Sequence, residues 1–205
     1  MTDRSPQPMQ ADADIPVSGS RGEDCVCRRA VLAGLAATVG LAEGAAAQQP
    51  LPNRPRADDL LVYASGPNAG QVIRPEALER GARPLLAWPM DPQTRIPRSN
   101  SRLNQVLVLR MKPEEIEEED RGRSADGILA FSSVCTHAQC PVNGWVEAKG
   151  VMRCPCHESE YDPRQAAKVV FGPAPRPLPA LPLRIAEGEL RVAGPFTGRV
   201  GMAPA

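Results

Sequence analysis

Both histidines of this chain sit inside short cysteine clusters. His137 lies in Cys135-Thr136-His137-Ala138-Gln139-Cys140, and His157 closes Cys154-Pro155-Cys156-His157. Of the 6 cysteines, only Cys25 and Cys27 fall elsewhere. Thiolate sulfur and imidazole nitrogen are the donors that zinc and iron–sulfur centres use, so the chemistry to weigh is metal binding.

Three readings meet that pattern. A zinc site takes four nitrogen or sulfur ligands; a Cys-x-His with a Cys-x-x-His would supply them and leave two cysteines over. A cysteine nucleophile needs one thiol, one histidine and an orienting group, and it leaves the duplicated arrangement unexplained. A [2Fe–2S] cluster of mixed ligation takes two thiolates on one iron and two imidazoles on the other, one of each from each half. It leaves one cysteine pair free to form a disulfide, and so uses every cysteine and histidine of the two halves.

The two halves resemble the high-potential, disulfide-containing branch of the Rieske iron–sulfur family, which reads C-T-H-x-x-C and then C-P-C-H-x-S-x-Y-D. This chain has CTHAQC at 135–140 and CPCHESEYD at 154–162, and GPAPRPLPALPLRI at 172–185 is similar to the family's Pro loop. The resemblance implies that Cys135 and Cys154 hold the inner iron, His137 and His157 the outer one, and that Cys140 and Cys156 form a disulfide. It further implies that Ser159 and Tyr161 donate hydrogen bonds to a cluster sulfide and a ligand thiolate. Reduction adds negative charge to a cluster, so such donors, together with neutral imidazole ligands, favour electron uptake. The chain departs from the pattern at Ala138 and Gln139, where the family usually has a bulky apolar residue and Gly, and at Glu158, where Gly usually follows the second histidine. A carboxylate at 158 is expected to oppose reduction and to repel an acidic partner.

The elements that must position these residues read as short strands and turns. Pro counts 23 and Gly 17, with aromatics at 3%, a mixture unlike a helical bundle. Strands are expected at 60–65, 103–111 and 128–134, the last delivering Cys135, with a turn at 66–70 and a Pro-punctuated loop over 83–102. The run 112–127 is charged, with helix formers after Pro113, and reads as a solvated face. A hairpin over 144–154, turning at Lys149-Gly150, joins the two halves, and another over 181–194 turns at Glu187-Gly188. The fold class expected is all-β. In the form the resemblance implies, an antiparallel β-sandwich base domain carries an inserted rubredoxin-like cluster-binding subdomain. The domain is expected over 60–200, with its cluster-binding part about 129–176.

Ahead of that domain, residues 1–24 are polar and without apolar period, as in disordered segments. Arg28-Arg29, the apolar run Ala30–Ala42 and Ala45-Ala46-Ala47 together read as a Tat-type export signal, with 48–59 as a linker. Tat carries proteins already folded, which suits a chain that takes up iron before export. The stretch from Ala30 to Ala47 is 18 residues long and Glu43 interrupts it, so cleavage after Ala47 and retention as a membrane anchor both stay open. Cys25 and Cys27 read as incidental thiols of the signal.

With 24 basic and 24 acidic residues the formal net charge is zero, and nothing points to nucleic acid as a partner. The resemblance implies an electron-transfer subunit with one [2Fe–2S] cluster rather than a stand-alone catalyst. Its foremost form is the iron–sulfur subunit of a ubiquinol–cytochrome c reductase-type respiratory complex. That subunit would sit in the periplasm beside a cytochrome b-type subunit, taking electrons from quinol and passing them to a c-type cytochrome. The alternative is the Rieske small subunit of a periplasmic molybdenum oxidoreductase of the arsenite oxidase type, packed on a molybdopterin-type partner.

Overall fold

Short apolar runs bounded by Pro and Gly fold into antiparallel strands, because a run of three to six residues can bury its side chains only by pairing with neighbours. The computed structural model describes residues 53–202, all within the compact unit Ala47–Ala205. The twin arginine, Cys25 and Cys27 lie outside the described residues. Among those described, no helix is long and apolar enough to cross a membrane.

In chain order the strands are β1 (Leu60–Tyr63), β2 (Leu85–Met90), β3 (Val106–Arg110), β4 (Ile128–Ser132), β5 (Gly144–Val146), β6 (Val151–Arg153), β7 (Glu160–Asp162), β8 (Lys168–Phe171), β9 (Leu183–Ala186) and β10 (Glu189–Val192). A six-stranded sheet has the order β4-β3-β2-β1-β10-β9, and a four-stranded sheet the order β5-β6-β7-β8. The smaller sheet is thus an insertion between β4 and β9. The larger one curls until its ends meet: Leu181 N–H donates to the Ala130 carbonyl at 2.8 Å and Ser132 N–H to that of Pro179 at 2.9 Å. The all-β expectation holds.

The segment 83–102 differs from the loop expected there, since it contains β2 with Pro89 inside it. The register explains how a strand tolerates that proline. β2 pairs with β1 along Ala87–Met90 but with β3 only along Leu85–Ala87. Beyond β3, Pro89 meets the returning segment at Arg98, whose N–H donates to the Pro89 carbonyl at 2.8 Å and whose carbonyl is already taken by Asn104 at 2.9 Å. A missing N–H costs nothing where no acceptor waits. Residues 53–59, expected as linker, are tied to the base sheet: Asp59 is buried and ion-paired with Arg98 at 2.6 Å, and Val192 N–H donates to the Asp59 carbonyl at 2.8 Å. The charged run forms one 3-10 turn at Pro113–Glu115 and a single helical turn, α1 (Glu118–Arg121). It is mostly solvated as expected, although Ile116 and Asp120 turn inward.

Period-2 alternation in β3 and β4 divides the core in two. Val106, Val108, Ile128 and Ala130 face the interior of the curled sheet. Leu107, Leu109, Leu129 and Phe131 face outward into a second apolar cluster that also contains Cys135, Cys154, Met152 and Tyr161. Each large apolar side chain buried in this way contributes about 1.5–3 kcal/mol. The outer face of β3 and β4 is therefore the floor on which the cysteine-bearing loops rest.

Candidate metal centre

β4 ends at Ser132 and hands the chain to the first loop, which closes on itself through Cys135 N–H to the Cys140 carbonyl at 2.8 Å and Gln139 N–H to that of Cys135 at 3.1 Å. β6 ends at Arg153 and hands the chain to the second loop, closed by Cys154 N–H to the Ser159 carbonyl at 2.9 Å. Four residues beyond each cysteine the backbone turns left-handed, at Gln139 (φ 57°) and at Glu158 (φ 58°). Glycine adopts that conformation freely, whereas an L side chain costs about 1–2 kcal/mol there. Glycine is therefore the residue that would take either position without strain. In this chain each of the two residues is anchored instead. Glu158 pairs with Arg153 at 2.9 Å, and the Gln139 carbonyl accepts from Arg102 at 3.4 Å. The Arg153 guanidinium pairs with the carboxylate that is expected to oppose reduction.

The structure brings the sequence-predicted residues together in pairs, Cys135 with Cys154, Cys140 with Cys156 and His137 with His157. Cys135 and Cys154 are free thiols, each 1% exposed. Cys140 and Cys156 form a disulfide with their Cα atoms 6.5 Å apart, tying the two loops to each other. Closing a loop of this length contributes roughly 3 kcal/mol in the chain-entropy account. The rings of His137 and His157 meet edge-to-face, with centroids 4.7 Å apart. His157 is exposed and His137 half-buried, so the imidazoles lie outward of the thiols.

The sulfurs of Cys140, Cys154 and Cys156 lie within 4.8 Å of one another, but the disulfide occupies two of them, so only Cys154 offers a thiolate. The donor set left for a metal is Cys135, Cys154, His137 and His157. Four observations fit it to a cluster of mixed ligation. His137 Nδ1 is buried without a hydrogen-bond partner. The backbone N–H groups of Cys156 and His157 favour the thiolate of Cys154. Tyr161 OH lies 3.2 Å from the Cys135 sulfur and accepts from Thr136 N–H at 3.4 Å, so its own proton is free for the sulfur. Ser159 Oγ, fully buried, accepts from Ala174 N–H at 3.2 Å, and its proton likewise stays available.

Burial sets the protonation of these groups. It pushes the Cys154 thiol up, with Cys135 adding to the shift and the two backbone N–H groups opposing it. Binding a metal at Cys154 therefore displaces a firmly held proton. Burial, and then Cys135, push Tyr161 far above the ordinary phenol value of 10.0, so it remains a donor throughout the physiological range.

Fold and site together define an all-β protein whose two disulfide-clamped loops present an inner pair of thiols and an outer pair of imidazoles. Residues 97–182 match the family model of the Rieske [2Fe–2S] domain. The chain carries a Rieske domain, and the cofactor of that domain is a [2Fe–2S] cluster. Over 100 residues it is 36% identical to the cytochrome bc1 complex Rieske iron–sulfur subunit of Streptomyces lividans, covering 48% of this chain and 59% of that protein. Over 76 residues it is 47% identical to a putative respiratory nitrate reductase Rieske subunit of Haloferax mediterranei, covering 37% of this chain and 34% of that one. This chain thus spans less than two thirds of the relatives it matches. A solved structure, the cyanobacterial plasma membrane Rieske protein from Synechocystis PCC 6803, aligns with 26% identity and a TM-score of 0.35 over 54% of this chain and 86% of that one.

Two residues escaped the reading of the sequence. Thr136, between Cys135 and His137, is fully buried and its hydroxyl donates to the Arg176 carbonyl at 2.7 Å, linking the first loop to the Pro loop. Gly172 lets the Pro loop lie on the second ligand loop, since a Cβ there would stand 2.6 Å from Ser159 Cα. Both stand inside stretches that resemble the family, but the long-range contacts that give them a role leave no local pattern.

Proposed function

We propose that this chain is a high-potential Rieske electron-transfer subunit of a quinol–cytochrome c reductase-type respiratory complex. In this reading Cys135 and Cys154 hold the inner iron, His137 and His157 the outer one. The observation that carries it is the gradient of exposure across the donor set, from two sealed thiols to an exposed imidazole at His157. The cluster, when bound, accepts and returns a single electron. The protein's own residues do the rest. Met152, Tyr161 and Phe131 exclude water from the thiol side. Ser159 and Tyr161 aim protons at the sulfurs, and the Cys140–Cys156 disulfide holds the imidazoles outward, where a quinol hydroxyl or an electron acceptor can reach them.

A larger redox subunit, a c-type cytochrome acceptor, and Tat export to the periplasm from Arg28-Arg29 complete the proposal. The relatives named for the cytochrome bc1 complex support it. The match to a respiratory nitrate reductase Rieske subunit favours a second reading, in which the domain serves another respiratory oxidoreductase, such as one of molybdenum type.

The full chain, matured in a host that assembles iron–sulfur clusters, is expected to hold equal iron and acid-labile sulfide and to give a paramagnetic signal with dithionite. His137→Ala is expected to abolish that signal and the colour. Zinc in place of iron, or a normal iron content in His137→Ala, overturns the ligand assignment. Reduction of the purified protein by a quinol, with reoxidation by a c-type cytochrome, separates the first reading from the second.

A further inference from the structure

We propose that the C-terminal segment 195–202 is a strap that fixes the first ligand loop, with Arg176 as its positioning residue and Gln139 as its anchor on the loop. β10 ends at Val192, and residues 193–202 form neither helix nor strand. A segment with no helix or strand pairing of its own is held in place only by the contacts that tie it down. Here it is tied in succession. Phe196 packs against the core of the curled sheet. Thr197 N–H donates to the Ala180 carbonyl at 2.9 Å, and Ala180 N–H returns a bond to Thr197 Oγ1 at 3.0 Å. Arg176 then donates from Nη1 to the Arg199 carbonyl at 2.7 Å and from Nη2 to that of Gly201. A planar guanidinium serves two carbonyls of one segment at once, which an ammonium cannot match in geometry.

The same arginine reaches the ligand loop through its backbone, because its carbonyl accepts the Thr136 hydroxyl at 2.7 Å. The strap makes a second contact at the loop tip. Gly201 is buried with φ 75°, and a Cβ placed on it would stand 3.3 Å from Cγ, Cδ and Oε1 of Gln139. Gln139 is the left-handed residue where glycine would be unstrained, and a glycine there would offer the strap nothing to rest on. The unfavourable backbone at 139 is thus explained by what its side chain touches. Thr136 and Gln139 bracket His137. Arg176 holds Thr136 through its carbonyl and the strap through its guanidinium, while the strap itself meets Gln139, so the three together fix the first imidazole and restrain Cys135 with it.

The effect on the cluster rests on the ligand assignment under the proposed function, whereas the mechanical coupling of strap to loop does not. Amide hydrogen exchange of the full chain, read separately over 133–143 and 195–202, tests the coupling. Arg176→Ala is expected to speed exchange about tenfold or more in both segments, with Arg176→Lys intermediate. Gln139→Gly is expected to speed it in the strap although it relieves the backbone at 139. In the cluster-loaded protein, Arg176→Ala should shift the g-values of the reduced signal while iron per chain stays at the wild-type level. Faster exchange confined to 195–202, with the first loop and the g-values unmoved, overturns the proposal; so does a strap indifferent to Gln139→Gly. A wild-type protein without iron would sink the ligand assignment alone, since exchange reports the coupling with or without metal.

Discussion

Two buried hydroxyls carry the proposed tuning of the centre. Ser159 and Tyr161 each accept a backbone N–H, from Ala174 and from Thr136, and each is left with one proton to give. A hydrogen bond to a charged acceptor contributes about 1.5–3 kcal/mol, and only the part that differs between the two redox states moves the potential. With about 59 mV per tenfold change for one electron, Ser159→Ala is expected to lower the reduction potential by tens of millivolts while the iron content holds. Protein-film voltammetry measures this, and an unchanged potential would remove the role assigned to Ser159. Glu158 is expected to act in the opposite sense only weakly. Its partner Arg153 neutralises it, and the two side chains are 52% and 43% exposed, so solvent screens what remains.

Among the elements, the Pro loop depends on a single glycine. At Gly172 a Cβ would lie 2.6 Å from Ser159 Cα, 2.8 Å from its N and 3.0 Å from its Oγ, and φ is 87°. The atoms it would meet are mostly backbone of the second ligand loop, which cannot swing aside as a long side chain does. Gly172→Ala therefore adds backbone strain to overpacking, at about 1–3 kcal/mol for each. Loss of the Ala174 N–H bond to Ser159 should accompany it. The expected result is a lower melting temperature with faster loss of iron on warming. Unchanged values of both would mean that the Pro loop does not need this close approach.

Across the whole molecule, stability against pH carries the imprint of one misplaced charge. Asp120 in α1 has a side chain that is 0% exposed; Oδ1 pairs with Arg123 at 3.1 Å, but Oδ2 is buried without a partner. Burial raises its pKa above the ordinary 3.8, and the Arg123 guanidinium only partly opposes this. The folded state then holds the proton more tightly than the unfolded chain. Its stabilising effect is fully present below 3.8 and is lost as pH rises through the raised folded value. Asp91 runs the other way. Backbone N–H bonds from Thr94 and Gln93 lower it, so its contribution is present above 3.8 and lost as pH falls through the lowered value. Urea midpoints from about pH 3 to 7 for wild type and Asp120→Asn isolate the first effect. The stability difference, wild type minus variant, should fall as pH rises and then level off; a constant difference would contradict the assignment to Asp120.

Much of the centre was legible along the chain, because its donors come as two contiguous clusters whose residue types and spacing carry the chemistry directly. Hairpins at Lys149-Gly150 and Glu187-Gly188 were legible for the same reason, since turn and strand signals are local. Pro89 misled because a proline in a strand is tolerable or not according to a neighbour's register, which is decided 17 residues away at Val106. The chain by itself determined which groups are able to bind a metal and that short strands must present them. Only the tertiary structure decided that Thr136 reaches Arg176 and that Gly201, near the end of the strap, returns to rest on Gln139. Those contacts join points distant in sequence through close packing, and close packing is a property of the assembled molecule that no stretch of residues holds alone.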